Sequence, residues 1–471
     1  MGKISFYLND RLVECERPQG MVLADYLRGD ERLTGVRIGC REGECGACTV
    51  LVGKVRCGVF SYQNVASCLM PLGQVQGAHV LTIEGVNPAD GSLNPIQQAF
   101  LDHGATQCGF CTPGFILSLT AFFCNSDGLT LEDALDAVDG NICRCTGYEP
   151  IRRAILALLD TWAPRLDRAR PRLAWLAEQG FLPAVCVAME EKLAALGAFG
   201  EVPEADAILV AGATDLLVQK PEALLASPLH FLEAPGCGVR EVGDSLRIAG
   251  TLNVSRLRED ETIRKHFKKI REQTARISST IMRNRATIAG NIVNASPIGD
   301  LSIMFLALGA RLHIRNGEKV RERELDGFFQ GYKKFDLAKG EVIEELAIHL
   351  PGRESRFAFD KVAMRRYLDI AACNAALRLD YDGKTMTNVR IAAGGVAPVP
   401  LLLKQAAAVA EGRTPGAALV RECAAAALAE VTPIDDVRGS AAYKKTVLRQ
   451  ILYGLFLELF PETLSCEELV Q

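Results

Sequence analysis

The chain has 471 residues, 49% hydrophobic and 23% charged, with a net charge of −4. At about 100–200 residues per domain this is two to four domains, each large enough to bury its own core. The balance of 53 basic and 57 acidic residues leaves no electrostatic footprint for nucleic acid or an anionic membrane. No apolar run reaches the roughly 18 residues of a membrane span, and the composition excludes collagen-like and disordered classes. The N-terminal stretch MGKISFYLND lacks the apolar segment of a signal peptide, so a cytoplasmic location is expected. Of the 16 cysteines, 11 lie in residues 1–160. That density in a cytoplasmic chain points to metal or redox chemistry rather than disulfides.

In chain order, Ile4–Leu8 alternates as a strand, Asn9-Asp10 turns, and Leu12–Cys15 returns as a hairpin. Val22–Arg28 reads as a helix, and Thr49–Val52, Val55–Phe60 and His79–Ile83 as further strand. Pro95–His103, Pro113–Asn125, Thr130–Val138 and Pro150–Trp162 fit four helices, three of them opening at a proline suited to a first helical turn. Arg165–Arg172 is charged and contains proline, hence a linker. Ala207–Val210 is a strand, Ser302–Ala310 a buried helix, and Arg311–Ile314 and Ile343–Leu350 are strands. Arg356–Met364, Ala375–Tyr381 and Val389–Gly394 alternate as strands, followed by helices at Leu401–Glu411, Gly416–Ala429 and Ala441–Leu457. That order predicts an α+β region with helices on one sheet face.

Two cysteine constellations carry chemistry. Cys40-x4-Cys45-x2-Cys48 lies among Gly39, Gly43 and Gly46, the spacing of a plant-type ferredoxin loop with a distant fourth cysteine. Glycines allow such a loop to turn backbone N–H groups onto sulfur. Cys57 and Cys68 both follow; Cys68, at a turn before Leu69-Met70-Pro71, is the favoured fourth ligand. Zinc or buried structural thiols is the competing reading. The second set is Cys108-x2-Cys111 and Cys143-x-Cys145, each pair preceding a helix whose free N–H groups favour thiolates. Beside a ferredoxin loop, a second 2Fe–2S cluster is the more economical reading.

There is no G-x-G-x-x-G, so a Rossmann site is not supported. Instead, the strand Ala207–Val210 runs into Ala211-Gly212-Ala213-Thr214-Asp215-Leu216, whose small residues admit a pyrophosphate to the backbone. A second loop reads Thr287-Ile288-Ala289-Gly290-Asn291-Ile292, followed by Ser296-Pro297-Ile298-Gly299-Asp300.

The order ferredoxin-like loop, then Q-C-G-F-C-T-P-G, then N-I-C-R-C-T-G-Y, with these two later loops, resembles the xanthine oxidase family of molybdenum hydroxylases over nearly the whole chain. The resemblance implies one 2Fe–2S cluster on Cys40, Cys45, Cys48 and Cys68, and a second on Cys108, Cys111, Cys143 and Cys145, nearer the molybdenum. It implies that Gln107 contacts the pterin of the molybdenum cofactor. It implies FAD phosphates on Leu209, Val210, Ala211, Gly212, Ala213, Thr214, Asp215 and Leu216. Further FAD contacts fall on Thr287, Gly290, Asn291 and Asp300, with Ile343 and Lys361 lining the flavin. The fold class implied is multidomain α+β. It comprises a β-grasp ferredoxin-like domain at 1–85, a four-helix 2Fe–2S bundle at 86–163 and a linker at 164–177. A vanillyl-alcohol-oxidase-type (PCMH-like) FAD-binding domain follows at 178–352, and an α+β flavoprotein C-terminal domain at 353–471. The stretch Asp435–Tyr443 matches near the end of that last domain.

Clusters and flavin account for the whole length, so the arrangement resembles the small iron–sulfur/FAD subunit of the family's bacterial xanthine dehydrogenases. That implies a partner subunit holding the molybdenum cofactor, in a dimer of heterodimers, with purine oxidised on the partner and NAD as acceptor. No residue of this chain is expected to act as acid, base or nucleophile on the substrate. Alternatives are the same role for another N-heterocycle or aldehyde, and a free-standing NADH-linked iron–sulfur flavoprotein. Tyr332 matches a residue on the nicotinamide side in dehydrogenases. Ile277 stands where such dehydrogenases often have phenylalanine beside the flavin, and the loop Arg365–Asp369 is less acidic than its counterparts.

Overall fold

The computed structural model describes residues 3–56, 58–88, 90–196, 206–232 and 238–470. Two units divide the chain: Met1–Glu233 with Ser278–Ala286, and Ala234–Ile277 with Thr287–Gln471. Among the described residues no helix is long and apolar enough to cross a membrane.

The first unit begins with a five-stranded sheet in the order Arg11–Cys15, Ile4–Leu8, His79–Leu81, Thr49–Arg56, Val59–Ala66. Alternation places the first strand: Ile4, Phe6 and Leu8 are buried while Ser5 and Tyr7 are half-buried. The helix Leu23–Gly29 buries Leu23, Ala24, Tyr26 and Leu27 in the same core. The run Val55–Phe60 is not one strand. Thr49–Arg56 pairs antiparallel with Val59–Ala66, Arg56 opposite Val59, so a tight turn cuts the apolar run. His79–Ile83 likewise stops at Leu81, and Ile83–Val86 is a helical turn.

Helices Pro95–Asp102, Thr112–Asn125, Leu131–Ala137 and Glu149–Trp162 form the bundle. Thr112–Asn125 is apolar on every face and buries Gly114 through Phe123, as a central bundle helix must. Arg172–Glu178, all but its last residue inside the expected linker 164–177, is a helix; Trp175 and Leu176 are buried against the bundle, and that apolar pair outweighs the charged flank. The segment Ser278–Ala286 is tied into this unit by a buried ion pair, Arg283 Nη2 to Asp139 Oδ2 at 2.6 Å, both side chains 1% exposed. Thr280 N–H completes the carboxylate at 2.7 Å. Burial still pushes the Asp139 carboxyl up from its ordinary value, against the lowering effect of Arg283.

The second unit has two larger antiparallel sheets and a two-stranded one, Phe329–Gly331 with Lys334–Phe335. One larger sheet runs Lys319–Glu324, Arg311–Asn316, Val342–His349, Ser245–Ala249, Val239–Val242. The other runs Ser355–Val362, Cys373–Tyr381, Met386–Gly394, Leu401–Leu402 and is covered by helices Lys404–Ala410, Ala417–Glu430 and Ala441–Leu459 through one apolar core. The expected helix Leu401–Glu411 therefore starts three residues late. Leu401 and Leu402 pair with Ala393 and Ala392 and extend the sheet. The multidomain α+β class stands: sheets and helices are present in both units.

His79 gives a pH test of the first sheet. Tyr62 Oη–H donates to its Nδ1 at 2.6 Å and its Nε2–H donates to Asn9 O at 2.7 Å, a pairing only the neutral ring satisfies. Burial pushes it down from 6.5 to about 4. Its contribution is therefore present above pH 6.5 and lost as pH falls towards 4, about 3 kcal/mol in all. Urea unfolding across this range is expected to show that loss in the parent chain and a flatter profile in His79→Gln; identical acid profiles would refute the assignment.

Candidate functional site

The loop between Leu23–Gly29 and Thr49–Arg56 carries Cys40, Cys45 and Cys48, and the 3-10 turn Ser67–Leu69 brings in Cys68. Cys40 lies within hydrogen-bond range of Cys45 and Cys68, and Cys48 within range of Cys68. Cys48 and Cys68 are buried; Cys40 and Cys45 are half-buried. Backbone N–H groups face the sulfurs: Glu42 N donates to Cys40 Sγ at 3.4 Å, Ala47 to Cys45 and Gly43 to Cys68. Hydrogen bonds from Cys45 and Cys68 hold Cys40 well below its ordinary value and push those two partners up. Gly43 and Gly46 have φ of +75° and +66°. A Cβ on Gly43 would stand 2.3 Å from Met282 Sδ, so the turn is open only to glycine. Cys57, the other candidate fourth ligand, lies outside the described residues.

The second set lies on two loops before helices. Cys111 caps Thr112–Asn125, and Cys143 and Cys145 precede Glu149–Trp162. Cys145 Sγ is 3.5 Å from Cys108 Sγ, and Cys111 is within hydrogen-bond range of Cys143. Burial and the Cys143 contact push Cys111 up to about 12. Burial would raise Cys143, but the Thr146 hydroxyl at 3.1 Å and its N–H at 3.5 Å bring the thiol down. Tyr148 Oη accepts the Cys143 N–H at 3.0 Å, from a residue at φ +68°. Gln107 is exposed, in the loop between Pro95–Asp102 and Thr112–Asn125. Cys108 and Cys145 are exposed too, among the exposed apolar side chains Phe110, Ile142 and Tyr148.

Among the described residues no three or more His, Cys, Asp or Glu close on one point as round a single metal ion. The thiols of the first set lie in the series Cys45, Cys40, Cys68, Cys48, those of the second as Cys108 with Cys145 and Cys111 with Cys143, and a binuclear cluster takes two thiolates on each iron. Donor type, pairing and inward N–H groups fit a 2Fe–2S cluster at both sets. Of the remaining thiols, Cys186, Cys373 and Cys423 are buried, and Cys237 lies outside the described residues.

The strand Ile208–Val210 runs into the loop 211–215 and the turn of helix Leu216–Gln219. Ala213 sits at φ +63°. A Cβ on Gly212 would fall 2.2 Å from Arg285 O, so the loop lies directly on that backbone. Arg285 Nη2 donates to Gly212 O at 2.7 Å and to Gln74 Oε1, and Gln74 Nε2 donates to Ala211 O. Burial, then the charge of Arg56, pushes the Arg285 guanidinium down to about 9. The tight, small-residue loop fits the phosphate cradle read from the sequence. Gln74 and Arg285 were not foreseen, since neither stands in a motif.

In the second unit Thr287 caps helix Ile288–Val293, its Oγ1 accepting Gly290 N–H at 3.1 Å. Asn291 Oδ1 accepts from Ser302 N–H and hydroxyl, each at 3.3 Å. Asp300 opens helix Asp300–Ala307 and meets Lys361 Nζ at 2.8 Å and Asn374 Nδ2 at 2.6 Å. Lys361, 2% exposed, also donates to Asp369 O at 3.0 Å. Asn374 was not foreseen; a lone amide in the apolar strand Cys373–Tyr381 is the signal that could have found it. Ile343 is buried in Val342–His349 opposite Ile314, Ile277 is buried and Tyr332 is 66% exposed. An open groove is lined by Arg276, Lys361, Val362 and the loop 363–366.

Gly212→Ala is expected to cost about 2–3 kcal/mol, because its methyl meets backbone rather than a movable side chain. Ala213→Gly is expected to stay within about 1 kcal/mol of neutral, since relief at positive φ offsets the lost buried methyl. Urea midpoints of the two variants check the order; a larger loss in Ala213→Gly would contradict it.

Four domain families match in series. A 2Fe-2S iron-sulfur cluster binding domain matches residues 6–72, and a [2Fe-2S] binding domain matches 82–156. The FAD binding domain in molybdopterin dehydrogenase matches 185–352, and the CO dehydrogenase flavoprotein C-terminal domain 358–459. Xanthine dehydrogenase 1 of Arabidopsis thaliana is 28% identical, over 93% of this chain and 38% of that protein. Xanthine dehydrogenase 2 of the same plant is 30% identical, again over 93% and 38%. The chain thus spans about 38% of the length of these relatives. A solved chain of carbon monoxide dehydrogenase from Hydrogenophaga pseudoflava is similar with a TM-score of 0.51 and 26% identity, covering 56% of this chain and 92% of that one. Two 2Fe–2S domains followed by a molybdopterin-dehydrogenase flavin domain and its C-terminal companion make this chain the iron–sulfur and flavin region of the molybdenum hydroxylase family.

Proposed function

We propose that the chain is the electron-transfer subunit of a purine-oxidising molybdenum hydroxylase, a xanthine dehydrogenase with NAD as acceptor. When bound, two 2Fe–2S clusters and FAD carry electrons from a molybdenum cofactor on a partner subunit to NAD⁺. Cys40, Cys45, Cys48 and Cys68 hold one cluster, and Cys108, Cys111, Cys143 and Cys145 the other. Leu209–Leu216 takes the FAD phosphates. Thr287, Gly290, Asn291, Asp300, Ile343 and Lys361 are the FAD residues of the second unit. None of these residues acts as acid or base on the purine.

The observation that carries this reading is the contrast between the two thiol sets. The first is half-buried to buried, as suits an internal relay. In the second, Cys108 and Cys145 are exposed beside Gln107, Phe110, Ile142 and Tyr148, as suits a cluster whose outer face another subunit covers. Gln107 is then free to meet a pterin on that subunit. The purine branch and NAD draw support from the plant relatives named xanthine dehydrogenase. The assembly is a dimer of heterodimers in the cytoplasm.

Cys143→Ser is expected to abolish one of two EPR-distinct 2Fe–2S signals in the reduced protein and leave the other; persistence of both would refute the ligand assignment. Purification from the native host is expected to bring down a large molybdenum-containing partner. That complex should oxidise xanthine faster with NAD⁺ than with O₂. Turnover of an aldehyde or another N-heterocycle instead of xanthine would overturn the purine reading alone.

A further inference from the structure

The two cysteine loops are joined by polar side chains that neither set of ligands requires. Asn141, 4% exposed, stands two residues before Cys143, and its Nδ2 donates to Gly46 O at 3.1 Å, inside the first loop. The same carbonyl accepts the Thr49 hydroxyl at 2.6 Å. Asn141 Oδ1 accepts from Ser118 Oγ at 2.8 Å, on the central bundle helix. Ser118 Oγ in turn accepts Asn64 Nδ2 at 3.2 Å, from the strand Val59–Ala66. Asn284 Nδ2 donates to both Asn64 O and Asn64 Oδ1 at 2.9 Å. One directed chain of hydrogen bonds therefore runs Asn284, Asn64, Ser118, Asn141, Gly46. Ser118 is fully buried and Asn64 is 3% exposed, so water does not compete for these bonds.

The backbones meet as closely as two chains can. A Cβ on Gly46 would fall 2.4 Å from Gly140 O, and one on Gly114 would fall 2.3 Å from Gly46 O. Beside this contact Ile142 N–H donates to Cys45 O at 3.0 Å. The amide of Asn141 is the side chain that binds this junction from within, and Ser118 fixes which way the amide faces, because its hydroxyl proton is given to Oδ1.

We propose that Asn141 is a positioning residue for exchange between the two clusters, and that Ser118 and Asn64 orient its amide. The latch holds the Cys45–Cys48 segment and the Cys143–Cys145 segment in one register, so the spacing of the clusters is set by buried hydrogen bonds and not by the ligands alone. The proposal rests on the reading that both thiol sets hold clusters. Asn141→Ala removes the bond to Gly46 O and leaves the Ser118 hydroxyl without its acceptor. Ser118→Ala removes the orienting bond to Asn141 and the acceptor of Asn64 Nδ2, and touches neither loop.

The test is low-temperature EPR of the fully reduced full-length chain, read as the spin–spin splitting between the two clusters. Iron content of each variant is the companion measurement. Asn141→Ala is expected to keep both signals but lose splitting, and Ser118→Ala to lose part of it in the same direction. Unchanged splitting in Ser118→Ala together with unchanged splitting in Asn141→Ala would overturn the latch while the cluster assignment stands. Should Asn141→Ala lose a cluster, Ser118→Ala alone decides: reduced splitting supports the latch and unchanged splitting overturns it. A parent chain without two 2Fe–2S signals would overturn the cluster reading and the latch with it.

Discussion

The carbonyl of Gly46 is where the iron–sulfur part of this chain is held together. It sits between Cys45 and Cys48, takes hydrogen bonds from the Thr49 hydroxyl and the Asn141 amide, and leaves no room for a Cβ on Gly114, while the Gly140 carbonyl leaves none on Gly46. Everything near it follows from that crowding. The first loop must turn through positive φ at Gly43 and Gly46, which points N–H groups inward toward sulfur. The second loop must begin its approach at Gly140 and Asn141 before Cys143 can face Cys111. A ligand loop could be built on its own; two ligand loops at fixed spacing need a shared constraint.

Polar groups of this kind are costly to bury, and the structure meets most of the cost with hydrogen bonds, although Asn374 Oδ1 finds no partner among the described residues. Asn64 uses both amide protons, on Ser118 Oγ and Ala137 O, and both of its carbonyl oxygens accept from Asn284. Arg283 and Asp139 pair within the same unit, with Thr280 N–H on the carboxylate. The second unit repeats the device in Asp300, Lys361 and Asn374, where a helix-start carboxylate meets an ammonium and an amide from two adjacent strands. Removing one member of such a set leaves an uncompensated buried charge, at roughly 3–5 kcal/mol, whereas removing a surface pair costs little. These networks define position more than they add stability.

The two 2Fe–2S domains were legible in cysteine spacing such as Cys40-x4-Cys45-x2-Cys48, and the bundle helices in Pro95, Pro113 and Pro150. The loop at Gly212 was visible because a strand ran into a string of small residues. Features made by contact between distant segments were not visible. Asn141 read only as part of a motif, and its bond to Gly46, 95 residues away, has no local signature. Gln74 and Arg285 meet the Gly212 loop from two other stretches of chain. Val55–Phe60 misled because an apolar run has no period to reveal that one strand ends at Arg56 and the next begins at Val59, and Leu401–Leu402 is too short to show one.

The central claim is that both thiol sets hold 2Fe–2S clusters in a chain that also binds flavin. Analysis of iron, acid-labile sulfide, zinc and flavin in the anaerobically purified protein tests it most directly. Two 2Fe–2S domains and one FAD domain predict four irons, four sulfides and one FAD per chain, with no zinc. A colourless protein carrying zinc in place of iron would contradict the account.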